Sequence, residues 1–188
     1  MANHEMELKR YHRINGSVEP NCAVFFGSDT FSGIPVGELT HDEQVETPVY
    51  NRSIAGLRIR EAEQVVKECV YELNPAKVFI NLGENDIAAD GFDEEQFITD
   101  YEWLLYNMNR QLQGRAQLYV VSVLSAHPMT MALNQKLQSM AEESGCVYVD
   151  VMRAINGDQL EVQIYDCIRK YLRSHAIGFA EAFRIAAV

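Results

Sequence analysis

Short apolar runs alternate with longer amphipathic stretches along most of this chain. The runs occupy residues 23–26, 48–50, 78–82, 118–124 and 147–149. Most of them are continuous rather than alternating, which is typical of strands that are covered on both faces. The pattern therefore predicts five short strands that are buried in one sheet.

Between these runs, the apolar residues follow the three- and four-residue spacing of an amphipathic helix. Such stretches cover residues 59–73, 97–112 and, less regularly, 133–141. The alternation of strands and helices predicts a doubly wound α/β domain with a parallel sheet and helices on both faces. In such sheets the ligand site lies beyond the carboxyl ends of the strands, so candidate residues should follow each strand.

The length of 188 residues predicts one domain that spans the whole chain, residues 1–188. Residues 1–15 are expected to form an arm that packs on this domain, and residues 177–188 a terminal helix. The first residues lack the apolar core of a signal peptide, and no apolar run approaches the roughly 20 residues that span a bilayer. We therefore expect a cytoplasmic protein that does not insert into membranes.

The charge balance narrows the range of partners. The chain has 27 acidic and 16 basic residues and a formal net charge of −11. Such a surface repels phosphate backbones, so nucleic acid is a poor partner, whereas neutral or cationic small molecules suit it better. The oligomeric state is left open, and a homo-oligomer is one of the alternatives.

The cysteines do not form a metal-binding or disulfide pattern. They lie far apart and include no CxxC pair; the four positions are Cys22, Cys69, Cys146 and Cys167. Buried free thiols are the favoured interpretation. The sequence predicts no metal site and no cofactor.

Glycines and small polar residues follow the first three predicted strands. Gly27, Ser28 and Asp29 come after the first strand, where a serine or aspartate commonly caps the next helix. Gly56, after the second strand, either exposes a backbone N–H toward an anion or relaxes a turn. Asn85, after the third, either offers its amide to an oxyanion or forms an ordinary turn.

Two histidines follow later in the chain. His175 precedes the predicted terminal helix, where it could be a general base, although a single histidine there is more often structural. His127 comes after the fourth strand, on the side where a ligand would bind, and is a possible pocket residue together with Ser32 and Asp86, although a solvated loop is the commoner outcome for such a histidine. The order of residue types predicts one functional pocket, formed by Ser28, Asp29, Gly56, Asn85 and His175.

These segments resemble the sequence blocks of the SGNH (GDSL-type) ester hydrolases. Residues 24–30 resemble the first block, 51–56 the second and 80–86 the third, while 147–150 resemble the last strand and His175 the final block. The resemblance implies a three-layer, flavodoxin-like fold with a five-stranded parallel sheet in the order 2-1-3-4-5. It also implies attack by a serine on a small ester or acylated substrate, with oxyanion-hole donors at Gly27, Gly56 and Asn85.

Two departures from the family pattern concern the chemistry. The family's Gly-Asp-Ser is Gly27-Ser28-Asp29 here, so an aspartate occupies the nucleophile position and the serine comes one residue early. Counted back from His175, the acid of the family's Asp-x-x-His block is Leu172, and Asp166 is the nearest carboxylate before it. A serine–histidine pair without its acid loses up to several powers of ten in rate, and a site without a nucleophile cannot transfer an acyl group covalently.

Three functions therefore stay open. In the first, an ester hydrolase, Ser28 is the nucleophile and His175 the base. In the second, a catalytically silent relative uses the pocket to bind a ligand or a protein, and Asp29 pairs with His175. In the third, Asp29 is the nucleophile and His175 activates water; this ranks lowest because it needs a good leaving group at carbon.

Overall fold

The computed structural model describes residues 4–42, 47–156 and 158–173. Its centre is a five-stranded sheet, parallel throughout, in the order β2-β1-β3-β4-β5. The strands are β1 (Ala23–Gly27), β2 (Val49–Asn51), β3 (Lys77–Asn81), β4 (Gln117–Val121) and β5 (Val147–Val149). The predicted doubly wound fold and its strand order are confirmed.

Helices cover both faces of the sheet. They are α1 (Glu5–Asn15), α2 (Asp29–Ser32), α3 (Val36–Asp42), α4 (Ile59–Cys69), α5 (Glu84–Ile87), α6 (Glu94–Gln111), α7 (Thr130–Glu143) and α8 (Leu160–Arg173). Short 3₁₀ turns follow α4 (Tyr71–Leu73) and β5 (Met152–Ala154). Helices α1, α4, α6 and α7 pack on one face, and α2, α3 and α8 on the other.

The two cores explain why the strand sequences are continuously apolar. Val24 and Val78 point into the core beneath α4 and α6, while Phe25 and Phe79 point into the core beneath α8. Every residue of β1 and β3 is buried. Because successive side chains of a strand point to opposite faces, both faces need apolar residues at every position.

The two ends of the chain were expected to form a packed arm and a terminal helix. Within residues 1–15 the structure has a helix, α1, which packs against α4. The expected terminal helix at 177–188 lies outside the described residues. A helix that was not predicted, α8, lies before it, and its apolar stripe fills the second core with Ile164, Tyr165, Ile168 and Leu172.

Helix α8 runs antiparallel to the strands. Near its start, Glu161 lies beside Gly33, at the edge of the sheet where the strands end (the carboxyl edge). At its other end, Nζ of Lys77, the first residue of β3, donates to the carbonyls of Tyr171 (2.5 Å) and Leu172 (3.1 Å). The last described helix therefore ends at the opposite, amino edge.

The described residues contain no disulfide among their cysteines, and Cys22 and Cys69 are buried free thiols as predicted. Cys146 and Cys167 are only partly buried. Within the same residues, no group of three or more histidine, cysteine or carboxylate side chains could hold a metal ion. None of the described helices combines the length and the apolar character needed to span a membrane.

Candidate functional site

The candidate site lies where β1 and β3 end beside each other at the carboxyl edge. The two strands approach so closely that a Cβ at Gly27 would collide with the carbonyl oxygen of Asn81. The Ser28 N–H continues the ladder by donating to the same carbonyl (3.1 Å), and α2 begins at the next residue. The glycine therefore allows the chain to turn into the helix directly at the sheet edge.

Four residues meet at this turn and are called the Asp29 cluster: Ser28, Asp29, Gly56 and Asn85. Oδ2 of Asp29 accepts hydrogen bonds from the Gly56 N–H (3.2 Å), the Ser28 hydroxyl (3.3 Å) and the Asn85 side-chain amide. The Asn85 amide also donates to Oγ of Ser28 (2.5 Å). A carboxylate oxygen of the chain itself therefore lies on Gly56 and Asn85, two of the three donors that the family resemblance assigns to an oxyanion.

The hydrogen bonds also fix the charge of Asp29. Partial burial raises the pKa of this carboxyl, but the hydrogen bonds from Asn85, Gly56 and Ser28 outweigh burial and hold the pKa below its ordinary value. Asp29 is therefore ionised at neutral pH.

The one-residue shift in the first block decides which side chain faces solvent. Ser28 is completely buried, with 0% of its surface exposed, whereas Asp29 is exposed. The hydrogen-bond partners of the Ser28 hydroxyl are Asn85 and Asp29, and no described histidine bonds to either Ser28 or Asp29. The group that the cluster exposes to solvent is thus a carboxylate.

Neighbouring contacts hold both helices of the site in place. Glu84, at the start of α5, accepts from the backbone N–H of Thr30 (2.7 Å) and from its hydroxyl, which joins α5 to α2. Gly83 has φ +131°, and a Cβ there would press against Val123 and Phe97. A glycine is needed at this position, both for its backbone conformation and for the lack of space, so that Asn85 can face the cluster.

The three residues that were expected to line the pocket have other partners. Asp86 is buried, and both its oxygens accept from the Ile59 N–H at the start of α4 (3.1 and 3.3 Å). Burial raises the pKa of Asp86 to about 6. The Ser32 hydroxyl donates to the carbonyl of Asp29 (2.9 Å), and Nδ1 of the exposed His127 accepts from the Met129 N–H (3.3 Å) before α7. None of the three side chains bonds to a side chain of the Asp29 cluster.

The expected base and acid do not come together in the described residues. His175 lies outside them. Leu172 is 1% exposed and belongs to the second core, and Asp166 is exposed on α8, where it pairs with Arg169 (3.4 Å). Asp166 is therefore engaged by a neighbour on its own helix, and within the described residues it forms no hydrogen bond to the cluster.

The sequence analysis missed the loop from β5 to α8, which reaches the carboxyl edge. This loop contains no histidine; instead, Asn156 and Gln159 have the spacing of the family's Asp-x-x-His block. Gln163 holds the loop, because its side chain bonds to the backbone N–H and carbonyl of Asn156 (2.7 and 3.0 Å) and to the carbonyl of Asp158 (2.7 Å). The signal that predicts this loop is the apolar spacing of residues 164, 168 and 172. This spacing indicates a helix that begins near residue 160, so that the residues before it form the loop.

Solved structures share this fold. A proposed platelet activating factor protein from Streptococcus pneumoniae matches with a TM-score of 0.77 and 20% identity, over 90% of this chain and 92% of that one. A proposed acylhydrolase from Bacteroides fragilis matches with a TM-score of 0.71 and 19% identity, over 88% and 97%. A GDSL-like lipase from Bacteroides thetaiotaomicron matches with a TM-score of 0.73 and 17% identity, over 88% and 96%.

No protein-family model matches the chain, and no curated protein matches it in sequence. The structural matches confirm the predicted relation to the SGNH (GDSL-type) hydrolases at the level of the fold.

Proposed function

We propose that this chain, which has the SGNH-hydrolase fold, binds a small ligand at the Asp29 cluster and does not hydrolyse esters. The observation that carries the proposal is the position of Asp29 Oδ2 on the Gly56 N–H and the Asn85 amide. Ester hydrolysis needs such donors for the oxyanion of its tetrahedral intermediate. An ionised carboxylate both occupies them and repels a second anion.

The position of the serine supports the same proposal. A nucleophilic hydroxyl has to reach the substrate carbonyl and needs a base within about 2.6–3.2 Å. The Ser28 hydroxyl is completely buried, and among the described residues the only acceptor it bonds to is the Asp29 carboxylate. Because hydrogen bonding lowers the pKa of Asp29, this carboxylate is a weak base.

Among the described residues, no histidine bonds to the cluster, and His175 lies outside them. The described loop between β5 and α8 reaches the carboxyl edge and offers Asn156 and Gln159, whose amides do not accept a proton at neutral pH.

The chemistry of the cluster points to the class of ligand. Asp29 is exposed and ionised, and neither its carboxylate nor that of Glu84 is paired with a described lysine, arginine or histidine. The net charge of −11 also favours cations over anions near this surface. We infer a small ligand that presents an ammonium group or several hydrogen-bond donors to Asp29.

Hydrolysis of p-nitrophenyl acetate tests the catalytic half of the proposal. We expect the wild type and Ser28→Ala to release p-nitrophenol at the same rate as buffer. Wild-type activity that disappears in Ser28→Ala would overturn it.

NMR with labelled aspartate tests the binding half. Butylammonium should move the Asp29 carboxyl resonance, while its neutral analogue butanol should not, and Asp29→Asn should lose the response. A response to acetate in the wild type would contradict the proposal, because it would mean that the donors are accessible to anions.

Ester hydrolysis by Ser28 is the second candidate. The observation in its favour is the 2.5 Å hydrogen bond from the Asn85 amide to Oγ of Ser28, which places an oxyanion-hole donor beside a hydroxyl. It requires Asp29 to leave the cluster before a substrate enters. Comparing wild type with Ser28→Ala in the ester assay separates this candidate from the first.

A further inference from the structure

The loop that carries Gly56 is held from two sides. On the side of the sheet, the N–H groups of Arg52 and Ile54 donate to the carbonyls of Phe25 (2.8 Å) and Gly27 (2.9 Å) of β1. On the opposite side, the hydroxyl of Tyr11, from α1, donates to the carbonyl of Ser53 (2.7 Å). The N-terminal helix therefore contacts the backbone only three residues before Gly56.

Arg52, in the same loop, adds further contacts to α1. It is 6% exposed, although it lies in a loop, and no carboxylate bonds to its guanidinium in the described chain. Its Nε donates to Oδ1 of Asn15 (3.1 Å), and the guanidinium lies over the rings of Tyr11 (5.1 Å) and Tyr50 (5.5 Å). Two of its three side-chain partners thus come from α1, and a buried charge depends strongly on such partners.

Asn15, the last residue of α1, connects Arg52 to the end of α4. Its side-chain amide donates to the carbonyl of Glu68 (2.7 Å) and to Oε2 of Glu72 (3.0 Å), while its oxygen accepts from Arg52. Glu68 lies in the last turn of α4, and the Gly56 loop precedes the first. Helix α1 consequently connects the loop before α4 to the far end of that helix.

Gly56 supplies the backbone N–H by which this loop contacts Asp29. It has φ +77°, and its N–H donates to Oδ2 of Asp29 (3.2 Å). We propose that Tyr11 and Asn15 are positioning residues, which act through Arg52 and Ser53 to hold the Gly56 N–H on the Asp29 carboxylate. The inference concerns the geometry of the cluster and holds whether or not the chain hydrolyses esters.

Tyr11→Phe tests the inference with little risk to the fold, because it removes one hydroxyl and keeps the ring beside Arg52. The Gly56 amide should exchange with solvent roughly two- to tenfold faster, the range expected for one weakened hydrogen bond. The pKa of Asp29 should rise toward its ordinary value, since the Gly56 bond is one of the interactions that lower it. Asn15→Leu, which removes the acceptor of Arg52, should change both quantities in the same direction.

Tyr106→Phe is the matched control, because Tyr106 is 53% exposed on α6, away from the loop. It should leave the Gly56 amide and the Asp29 titration unchanged. The inference is overturned if Tyr11→Phe lowers the unfolding temperature but leaves both readouts as in the wild type, since α1 would then only add stability. It is equally overturned if Tyr106→Phe moves them as much as Tyr11→Phe does.

Discussion

Replacing Asp86 with asparagine should make the protein more stable at neutral pH. Asp86 is 8% exposed, and in the part of the chain that the structure describes its only hydrogen-bond donor outside its own helix is the Ile59 N–H. Burial raises its pKa from 3.8 to about 6, so the carboxyl is protonated more easily in the folded protein than in the unfolded chain. At neutral pH the folded protein therefore has to bury a charge. The oxygen of an asparagine can still accept the Ile59 N–H, but the cost of burying a charge disappears.

The magnitude follows from the pKa. Each pKa unit is worth about 1.36 kcal/mol, so the rise from 3.8 to about 6 corresponds to about 3 kcal/mol. A carboxyl whose pKa is raised on folding contributes this stability fully below pH 3.8 and loses it as the pH rises through 6. A carboxylate at the start of α4 also gains about 0.3–1 kcal/mol from the helix dipole, which asparagine does not. The difference between these two terms is about 2–2.7 kcal/mol, and we expect Asp86→Asn to be more stable than the wild type by about that amount at pH 8.

Urea unfolding of wild type and Asp86→Asn between pH 4 and pH 8.5 measures this difference. The two proteins should be close in stability near pH 4 and should diverge as the pH rises through 6. Asp90→Asn is the matched control, because Asp90 is an exposed carboxylate that lines the same cavity of about 110 Å³. The reasoning is refuted if the stability difference between wild type and Asp86→Asn is the same at every pH.

Three further substitutions test the framework of the site, each by urea unfolding. Gly27→Ala should destabilise by about 1–3 kcal/mol, because the new Cβ meets the backbone of Asn81; a change below about 0.5 kcal/mol would mean that β1 and β3 can separate there. Asn134→Ala should cost about 1–3 kcal/mol, because the Asn134 side chain bonds to both backbone groups of Val123 (2.8 and 2.9 Å); an unchanged midpoint would mean that water replaces it. Lys77→Met should cost about 1.5–3 kcal/mol by removing charged donors from the last carbonyls of α8, and equal stability at pH 7 would contradict that role.

Much of the fold could be predicted from the sequence, because a strand that is buried on both faces is apolar at every position. The strands are short and continuously apolar, and parallel strands bring the residues after them to one edge. This rule is why Gly56 and Asn85, distant in sequence, could be expected near Asp29, and the structure places them within hydrogen-bond distance.

The direction of single side chains could not be predicted in the same way. Whether Ser28 or Asp29 faces solvent depends on where the first turn of α2 begins, and a one-residue difference exchanges the buried and exposed positions. The burial of Arg52 was equally hidden, because its partners Tyr11 and Asn15 come from a helix that pattern alone presented as a polar arm. The position of α8, by contrast, is predictable from the apolar spacing of 164, 168 and 172 alone.

The carboxylate that accepts from Gly56 and Asn85 is part of the same chain as these donors. This gives Asp29 an advantage over dissolved anions that could bind to the same two donors. A dissolved carboxylate binds to the donors in proportion to its concentration in solution. For Asp29, the effective concentration at the donors is fixed by the short covalent path between its side chain and the backbone, and dilution does not lower it. Millimolar acetate therefore has little chance to displace it. The occupancy of these donors is decided by the rotamer of Asp29 rather than by the composition of the solution.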